Sequence, residues 1–311
     1  MKIPEDQRYK HLFKKRPLYK RILANWVSYL FIAPVGIIFV WWWVIPFITS
    51  LGLSFCRYDI FNPPKFVGLK NFKTVFTNPV FWVAMKNTAI YTGITVSAGV
   101  TLSLILAVLL DQKIRFRNFF RTVYFLPSVT SAVAISVVWR WIYSPNKYGL
   151  LNYFLSFAKM KPLNWLGDLN LILPSVMAMA IWGGIGYGMV IFLAGLQGIS
   201  NSLYEAAEID GANAFKRFWH ITLPLLRPTT LFIVVWSIIN GFQVFEQMYI
   251  MVRSIESIGG PLNAGLVVVA HLYEQGFERL RMGYASAVAY VLFAIIFIIT
   301  IVNFKLFQPK D

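Results

Sequence analysis

Apolar residues in this chain come in long blocks rather than in single stripes. Residues 22–56, 87–110, 122–139, 169–204, 228–245 and 282–304 carry no charge at all. A membrane-crossing helix needs about 20 apolar residues at ~1.5 Å of rise each. Four blocks exceed that length, and the two 18-residue blocks approach it by using their flanks, as residues 223–226 and 247–252 extend the fifth. Backbone polar groups in hydrocarbon must bond within their own segment, so helices are expected, and the alternation of a barrel strand is missing. The predicted fold is all-α: a polytopic membrane protein with six transmembrane helices. Pro34, Pro46, Pro127 and Pro174 lie in or near span ends and are expected to kink or terminate helices. Adjacent Trp41, Trp42 and Trp43 point in different directions around a helix and form no single platform. Trp26, Trp82, Trp139, Trp141 and Trp165 lie near span ends and read as interfacial anchors.

Composition agrees. Of 311 residues, 58% are hydrophobic and 14% charged. A soluble core of this size cannot hide that much apolar surface, which excludes a soluble enzyme or a disordered regulator. One cysteine, Cys56, excludes an intrachain disulfide scaffold. The 29 Lys+Arg against 13 Asp+Glu lie in short segments between apolar blocks. That distribution fits contact with membrane lipid rather than nucleic acid. Residues 1–25 form a basic segment too long for a signal n-region, expected to stay cytoplasmic. The 111–121 loop, with Lys113, Arg115, Arg117 and Arg121, supports the same side. The expectation is a multi-pass cell-membrane protein with both termini cytoplasmic. It would comprise the basic segment 1–25, a six-helix transmembrane domain 26–306 and a tail 307–311.

The most specific segment joins the fourth and fifth blocks: SNSLYEAAEIDGANAFKRFWHITLPLLRP, residues 200–228. It reads as a short helix, a break, a second short helix and re-entry. Ser202 and Glu205 have capping-box spacing. Gly211 after Asp210 suits the left-handed conformation that ends a helix. Phe215, Phe218 and Trp219 are expected to face the membrane domain, leaving Lys216 and Arg217 wetter. Pro224 is expected to open the next span.

The order Glu205-Ala206-Ala207, Asp210-Gly211-Ala212, Ile221, Leu223-Pro224 and Pro228 resembles the EAA loop of binding-protein-dependent ABC importer permeases. The segments NWLGD (164–168), IFLAGLQGI (191–199) and PPKFVGLKNF (63–72) resemble the sugar-importer branch, in particular the larger permease of maltose and glycerol-phosphate importers. Loop 57–86 is too short for the long periplasmic domain of that maltose subunit. The resemblance implies a type I ABC importer permease that forms half of a translocation pathway. It implies a second homologous permease, two cytoplasmic ATPase domains that bind ATP and Mg, and an extracytoplasmic solute-binding protein as partners. It further implies a coupling loop, residues 200–223, whose Glu205, Ala206, Ala207, Asp210 and Gly211 dock on an ATPase. The chain itself has no G-x-x-x-x-G-K-[ST] phosphate loop, so no cofactor and no ATP hydrolysis are expected in it.

Two polar patterns remain within spans. Gly184 and Gly188 have small-xxx-small spacing, which suits close helix packing; Trp182 and Tyr187 beside them are candidates to face a solute. Asn240, Gln243 and Glu246 or Gln247 fall on one helical stripe, which suits either interhelical packing or a pathway. The resemblance places Tyr187 and Asn240 at sugar-contacting positions of the maltose relative, whereas Ile239 and Val244 depart from it. His11, His220 and His271 are far apart, so no metal site and no catalytic residue is expected. A secondary transporter of a small polar solute is the alternative. It would normally bury ionisable residues within its spans, and these spans have almost none.

Overall fold

The structure is a computed structural model that describes residues 26–307, apart from 113–114, 147 and 255–256. The basic segment 1–25, with His11, and residues 308–311 of the tail lie outside the described residues, as does Lys113. The chain divides into two compact units, residues 1–52 and 53–311.

The described part of the first unit is a helix. α1, Trp26–Ser54, continues just past the division and contains a π turn at Val40–Val44, where the Ile45 N–H reaches Val40 O. Pro46 explains the widening: it has no N–H, and its ring crowds the carbonyl four residues earlier. Pro34 lies inside the same helix, and Trp41, Trp42 and Trp43 are all exposed on the π turn.

The second unit begins with a two-stranded hairpin, β1 (Cys56–Arg57) and β2 (Lys65–Phe66), antiparallel with Cys56 opposite Phe66. Then come α2 (Lys70–Thr77), α3 (Pro79–Asp111), α4 (Arg117–Val129), α5 (Ala132–Ile142), α6 (Leu150–Phe157) and α7 (Ile172–Gln197). The short α8 (Asn201–Ile209) and the kinked α9 (Ala214–Leu225) lead to α10 (Arg227–Phe242). α11 (Glu246–Val252), α12 (Val268–Tyr273) and α13 (Met282–Phe307) complete the chain.

Among the described residues, α1, α3, α7 and α13 are each long and apolar enough to cross a membrane. The third and fifth blocks are bent pairs, and counting each as one span gives six. α4 and α5 meet at 99°, so the 122–139 block is not one straight helix. Pro127 lies two residues before the end of α4 and withholds a helical hydrogen bond there. α9 and α10 meet at 64°. Pro224 opens only the last short turn of α9, and Pro228 sits in the first turn of α10. The re-entry proline is therefore Pro228, not Pro224. α3 starts well before residue 87, because Asn78 caps it by accepting from Val80 N at 3.0 Å and Pro79 fills the first position.

α7 is the central post, packed on α3, α4 and α10. Its close approaches differ from the expected glycine pair. A Cβ on Gly188 would lie 2.5 Å from Ser103 Oγ of α3, and one on Gly186 would lie 2.0 Å from Tyr124 O of α4. At Gly184 a Cβ would meet nothing within 4 Å. The contact pair is thus Gly186 and Gly188, on two faces toward two partners, while Gly184 opens onto a cavity. Ser103 donates to Ile185 O at 2.9 Å, adding a polar tie where the backbones are close.

At the end of the bundle where α3, α7 and α13 begin, irregular backbone is held by buried side chains. Asn152 is buried and uses its whole amide. Its Nδ2 donates to Ser144 O and Leu163 O, and its Oδ1 accepts from Leu163 N and Trp165 Nε1. Asn87 Nδ2 lies within 3.0–3.2 Å of the carbonyls of Asn263, Ala264 and Leu266, and Thr88 Oγ1 accepts from Val268 N at 3.0 Å. Two of the expected tryptophan anchors belong to this interior. Trp165 bonds Asn152 and packs on Tyr143, and Trp139 packs on Tyr143 and Trp182.

The glycine geometry makes a sharp prediction. Gly186→Ala drives a methyl into the α4 backbone, where overpacking costs about 1–3 kcal/mol or more. Gly184→Ala meets open space. Thermal unfolding of the purified protein should show a clear loss for Gly186→Ala and none for Gly184→Ala; equal behaviour would refute this packing.

Candidate functional site

Three features stand out: an exposed loop, an inner cavity and a polar cleft. α3 and α7 start near the cleft, line the cavity along their middle turns, and pack against Leu226 of the loop side with their last turns. The cleft and the loop therefore lie at opposite ends of the second unit.

In the loop, α8 begins one residue after its N-cap Ser200, and no side chain caps it. The expected capping box is absent. Ser202 lies inside the helix and its hydroxyl pairs with Ser200 Oγ at 2.8 Å, so Glu205 has no N-cap amide to reach. The C-terminal end behaves as expected. Gly211 has φ +77°, its N–H donates to Glu208 O, and Ala212 N–H donates to Ala207 O at 2.8 Å. That pair of bonds is the Schellman closure, and it needs the left-handed residue that glycine provides. Asn213 then caps α9 through Lys216 N at 2.9 Å. Two contacts brace the loop: Tyr204 Oη with Thr222 Oγ1 at 2.9 Å, and Arg217 with Glu208 at 3.1 Å.

The expected burial of this loop is reversed in part. Phe215 and Trp219 are exposed, whereas Arg217 is half-buried against Glu208. Leu203, at 46% exposure, and Ile209, at 88%, add to a protruding apolar surface. Glu205, Ala206, Asp210 and Gly211 are exposed and Ala207 half-buried. His220 is exposed, with Nδ1 3.0 Å from Lys216 O.

The inner cavity, about 680 Å³, lies between α3, α7 and α10. Tyr187, Asn240 and Gln243 all line it, with Trp236, Thr95 and Ser128. The Tyr187 and Trp236 rings are 6.2 Å apart and tilted by 32°. Asn240 Nδ2 donates to Trp236 O at 2.7 Å, which fixes the amide and leaves Oδ1 outside that bond. Trp182 does not line the cavity; its ring is 5.6 Å from Trp139. The single polar stripe is also corrected. α10 ends at Phe242, and Glu246 starts α11, so Glu246 and Gln247 reach the cavity from another helix. Trp236 was legible as the residue one turn before Asn240; nothing in the sequence assigned Thr95 or Ser128.

The cleft, about 1630 Å³, is lined by the hairpin, α2, the end of α5 and the loops before α7 and α13. His271 is wholly buried at its edge, with Nε2 3.3 Å from Tyr284 Oη, which accepts from Asn78 Nδ2 at 2.9 Å. Burial, above the opposing pull of Glu274, lowers the His271 pKa, so the ring is held toward its neutral form. Tyr143 donates to Ser175 O at 2.9 Å, and burial pushes its hydroxyl up to about 12. The Asp59 carboxyl is lowered first by the Asn62 side-chain hydrogen bond.

A helical membrane bundle with an inner cavity between its helices, a polar cleft at one end and a protruding loop at the other has the organisation of a transport permease. Residues 99–309 match the family described as binding-protein-dependent transport system inner membrane component, and the chain belongs to that family. Its relatives include the arabinooligosaccharides transport system permease protein of Bacillus subtilis (strain 168). That protein is 37% identical over 279 residues, covering 89% of this chain and 87% of the relative. The lactose transport system permease protein of Rhizobium radiobacter is 33% identical, covering 89% of this chain and 92% of the relative. In fold, the chain matches a bacterial ABC transporter involved in import of the acidic polysaccharide alginate, with a TM-score of 0.83 and 23% identity. That match covers 95% of this chain and 100% of that one. The protein is thus a multi-pass membrane permease.

If the cavity is the solute path, Tyr187→Ala and Asn240→Ala should each reduce transport at limiting substrate by about two- to tenfold, the value of one hydrogen-bonding contact. Trp182→Phe should leave it near wild type. Initial uptake rates at matched membrane levels test this, and normal uptake in both alanine variants would make these residues packing elements.

Proposed function

We propose that this permease forms half of the pathway of an ATP-driven importer of a sugar or oligosaccharide. The observation that carries the reading is the protruding loop: an EAA sequence on a short helix, closed by Gly211 and bordered by exposed Leu203, Ile209, Phe215 and Trp219. An apolar surface beside exposed Glu205, Glu208 and Asp210 is suited to a protein partner, and a phosphate loop is lacking in this chain. Energy therefore comes from a partner. We assign that role to two cytoplasmic ATPase domains that bind ATP and Mg, with the α8–α9 loop docked in a cleft of one. The loop side is then cytoplasmic, as are both termini, and the polar cleft faces outward.

Two relatives support a saccharide, with arabinooligosaccharides and lactose as their solutes, while a third carries the small polyol phosphate sn-glycerol-3-phosphate. A fold neighbour was solved in complex with a pentasaccharide-bound periplasmic protein, which supports delivery by a solute-binding protein. The aromatic pair Tyr187–Trp236 offers apolar faces to sugar C–H groups, while Asn240 and Gln243 offer hydrogen bonds. A second homologous permease supplies the other half of the path.

Glu205→Ala and Gly211→Pro test coupling. Glu205 caps nothing, so its loss should leave α8 intact and act on docking, where a truncated charge pair costs about 2–5 kcal/mol. Gly211→Pro places a ring that requires φ near −65° where the chain has φ +77°. Both variants should reach the membrane at wild-type levels, lose uptake and fail to retain the ATPase on co-purification. Wild-type uptake in both would refute the coupling role. The purified chain alone should hydrolyse no ATP.

A further inference from the structure

The inner cavity carries a single charged side chain. Its lining holds Glu246 and no lysine, arginine or histidine. Glu246 is exposed, and among the described residues it makes no ion pair. Its neighbours fix the helix that bears it. Phe245 packs on Tyr249 and Tyr273, and Met248 is buried. α11 is therefore anchored on both sides of Glu246, while the carboxylate itself is left to the cavity. The outer cleft has the opposite balance, with Arg57, Arg140, Arg253, Arg279 and Arg281 against Asp59 and Glu274. None of those arginines lines the cavity.

The hydrogen-bonding groups of the cavity point the same way. Thr95 Oγ1 donates to Tyr91 O at 2.7 Å, Ser128 Oγ to Phe125 O at 2.7 Å and Thr130 Oγ1 to Leu126 O at 2.9 Å. Each hydroxyl has committed its one proton to its own helix and turns lone pairs to the cavity. Asn240 likewise donates to Trp236 O and keeps Oδ1. Donors remain on Tyr187, Trp236, Ser237, Gln243 and Gln247.

We propose that Glu246 is a specificity-determining residue of the pathway: it makes the cavity reject anionic saccharides, so that the imported solute is a neutral, hydroxyl-rich sugar. This deepens the importer reading and rests on it. A sugar hydroxyl both donates and accepts, so a wall of lone pairs with scattered donors satisfies it. Two adjacent hydroxyls can donate together to one carboxylate, and such charge-assisted bonds are strong. A carboxylate or phosphate on the solute can only accept. It would leave water for a recess walled largely by apolar side chains, such as Val96, Ile135, Met179 and Ile233, and would find a like charge there and no cation. An unpaired charge taken out of water is costly, and low-dielectric walls strengthen the repulsion. A site discriminates as much by what it leaves unpaired in the wrong ligand as by what it bonds in the right one.

The first measurement reads the charge of the cavity without reference to transport. It uses the complete transporter in nanodiscs, with Cys56→Ser and a reporter thiol from Gln243→Cys, and Ser237→Cys as a second reporter. A cationic and an anionic methanethiosulfonate are the probes, each rate being taken relative to free thiol and to the transporter lacking the reporter. The cationic reagent should react faster by about tenfold, the scale of one nearby charge. Glu246→Gln should bring the ratio near one, Glu246→Asp should keep it, and raised salt should shrink it. Equal rates beside an intact Glu246, or a ratio untouched by Glu246→Gln, would overturn the proposal.

Uptake into proteoliposomes reads the selection. Each neutral disaccharide that is taken up, from a panel including lactose and arabinobiose, is compared with its aldonate at concentrations that saturate the binding protein. The preference of the binding protein is common to wild type and variant, so a change in the uptake ratio belongs to the permease. Glu246→Gln should raise aldonate uptake relative to neutral uptake by about fivefold, and Glu246→Asp should not. Wild-type uptake of aldonate as fast as of the neutral sugar, or an unchanged ratio in Glu246→Gln, overturns the selection and leaves the importer standing. No uptake of any saccharide by the wild-type transporter overturns the importer itself.

Discussion

Irregular backbone inside an apolar setting governs this structure. A chain in hydrocarbon cannot leave N–H and C=O groups unpaired, and helices meet that demand only where they are continuous. This chain interrupts them repeatedly, at the α4–α5 bend, before α10 and in the segment before α12. In the segment before α12 and in the loop between α5 and α7, a few polar side chains supply the bonds that a helix would have made. Asn87 collects three carbonyls of the 263–266 turn, Thr88 takes the first amide of α12, and Asn152 closes the loop between α5 and α7. The cleft and the cavity exist because helices that break can leave space between them without exposing backbone to lipid.

The same constraint separates packing from function along α7. Two faces close on α4 and α3 through Gly186 and Gly188, while Gly184 and Tyr187 border the cavity. A single helix thereby serves as bundle post and cavity wall. At its far end it stops at Gln197, with three residues before α8 begins at Asn201, so the cavity wall and the loop are neighbours along the chain. Tyr204 and Arg217 tie the loop internally through Thr222 and Glu208.

Much of this was legible in the sequence. Charge-free blocks located the membrane segments, because a charge in hydrocarbon is costly enough to mark their limits. The turn after α8 was readable from Asp210-Gly211, since a left-handed residue after a helix selects glycine. Other readings failed for local reasons. Ser202 and Glu205 had capping-box spacing, but the helix starts earlier, and only backbone geometry identifies the N-cap. Trp139 and Trp165 looked like interfacial anchors because position relative to a span cannot reveal the buried partners, Tyr143 and Asn152, that hold them.

Sequence by itself determined that the chain is an all-helical membrane protein with an EAA-type loop. Hydrophobic length, charge placement and residue order are local properties, and each acts within one segment. Tertiary structure decided where the helices break, which glycines touch, and that Tyr187, Asn240, Gln243 and Glu246 share one cavity although they come from α7, from α10 and the turn after it, and from α11. It also decided that arginines scattered from residue 57 to residue 281 face a common cleft. Those outcomes depend on which faces meet across the bundle. Packing and backbone satisfaction fix that only when all the segments are assembled, so no single stretch of sequence encodes it.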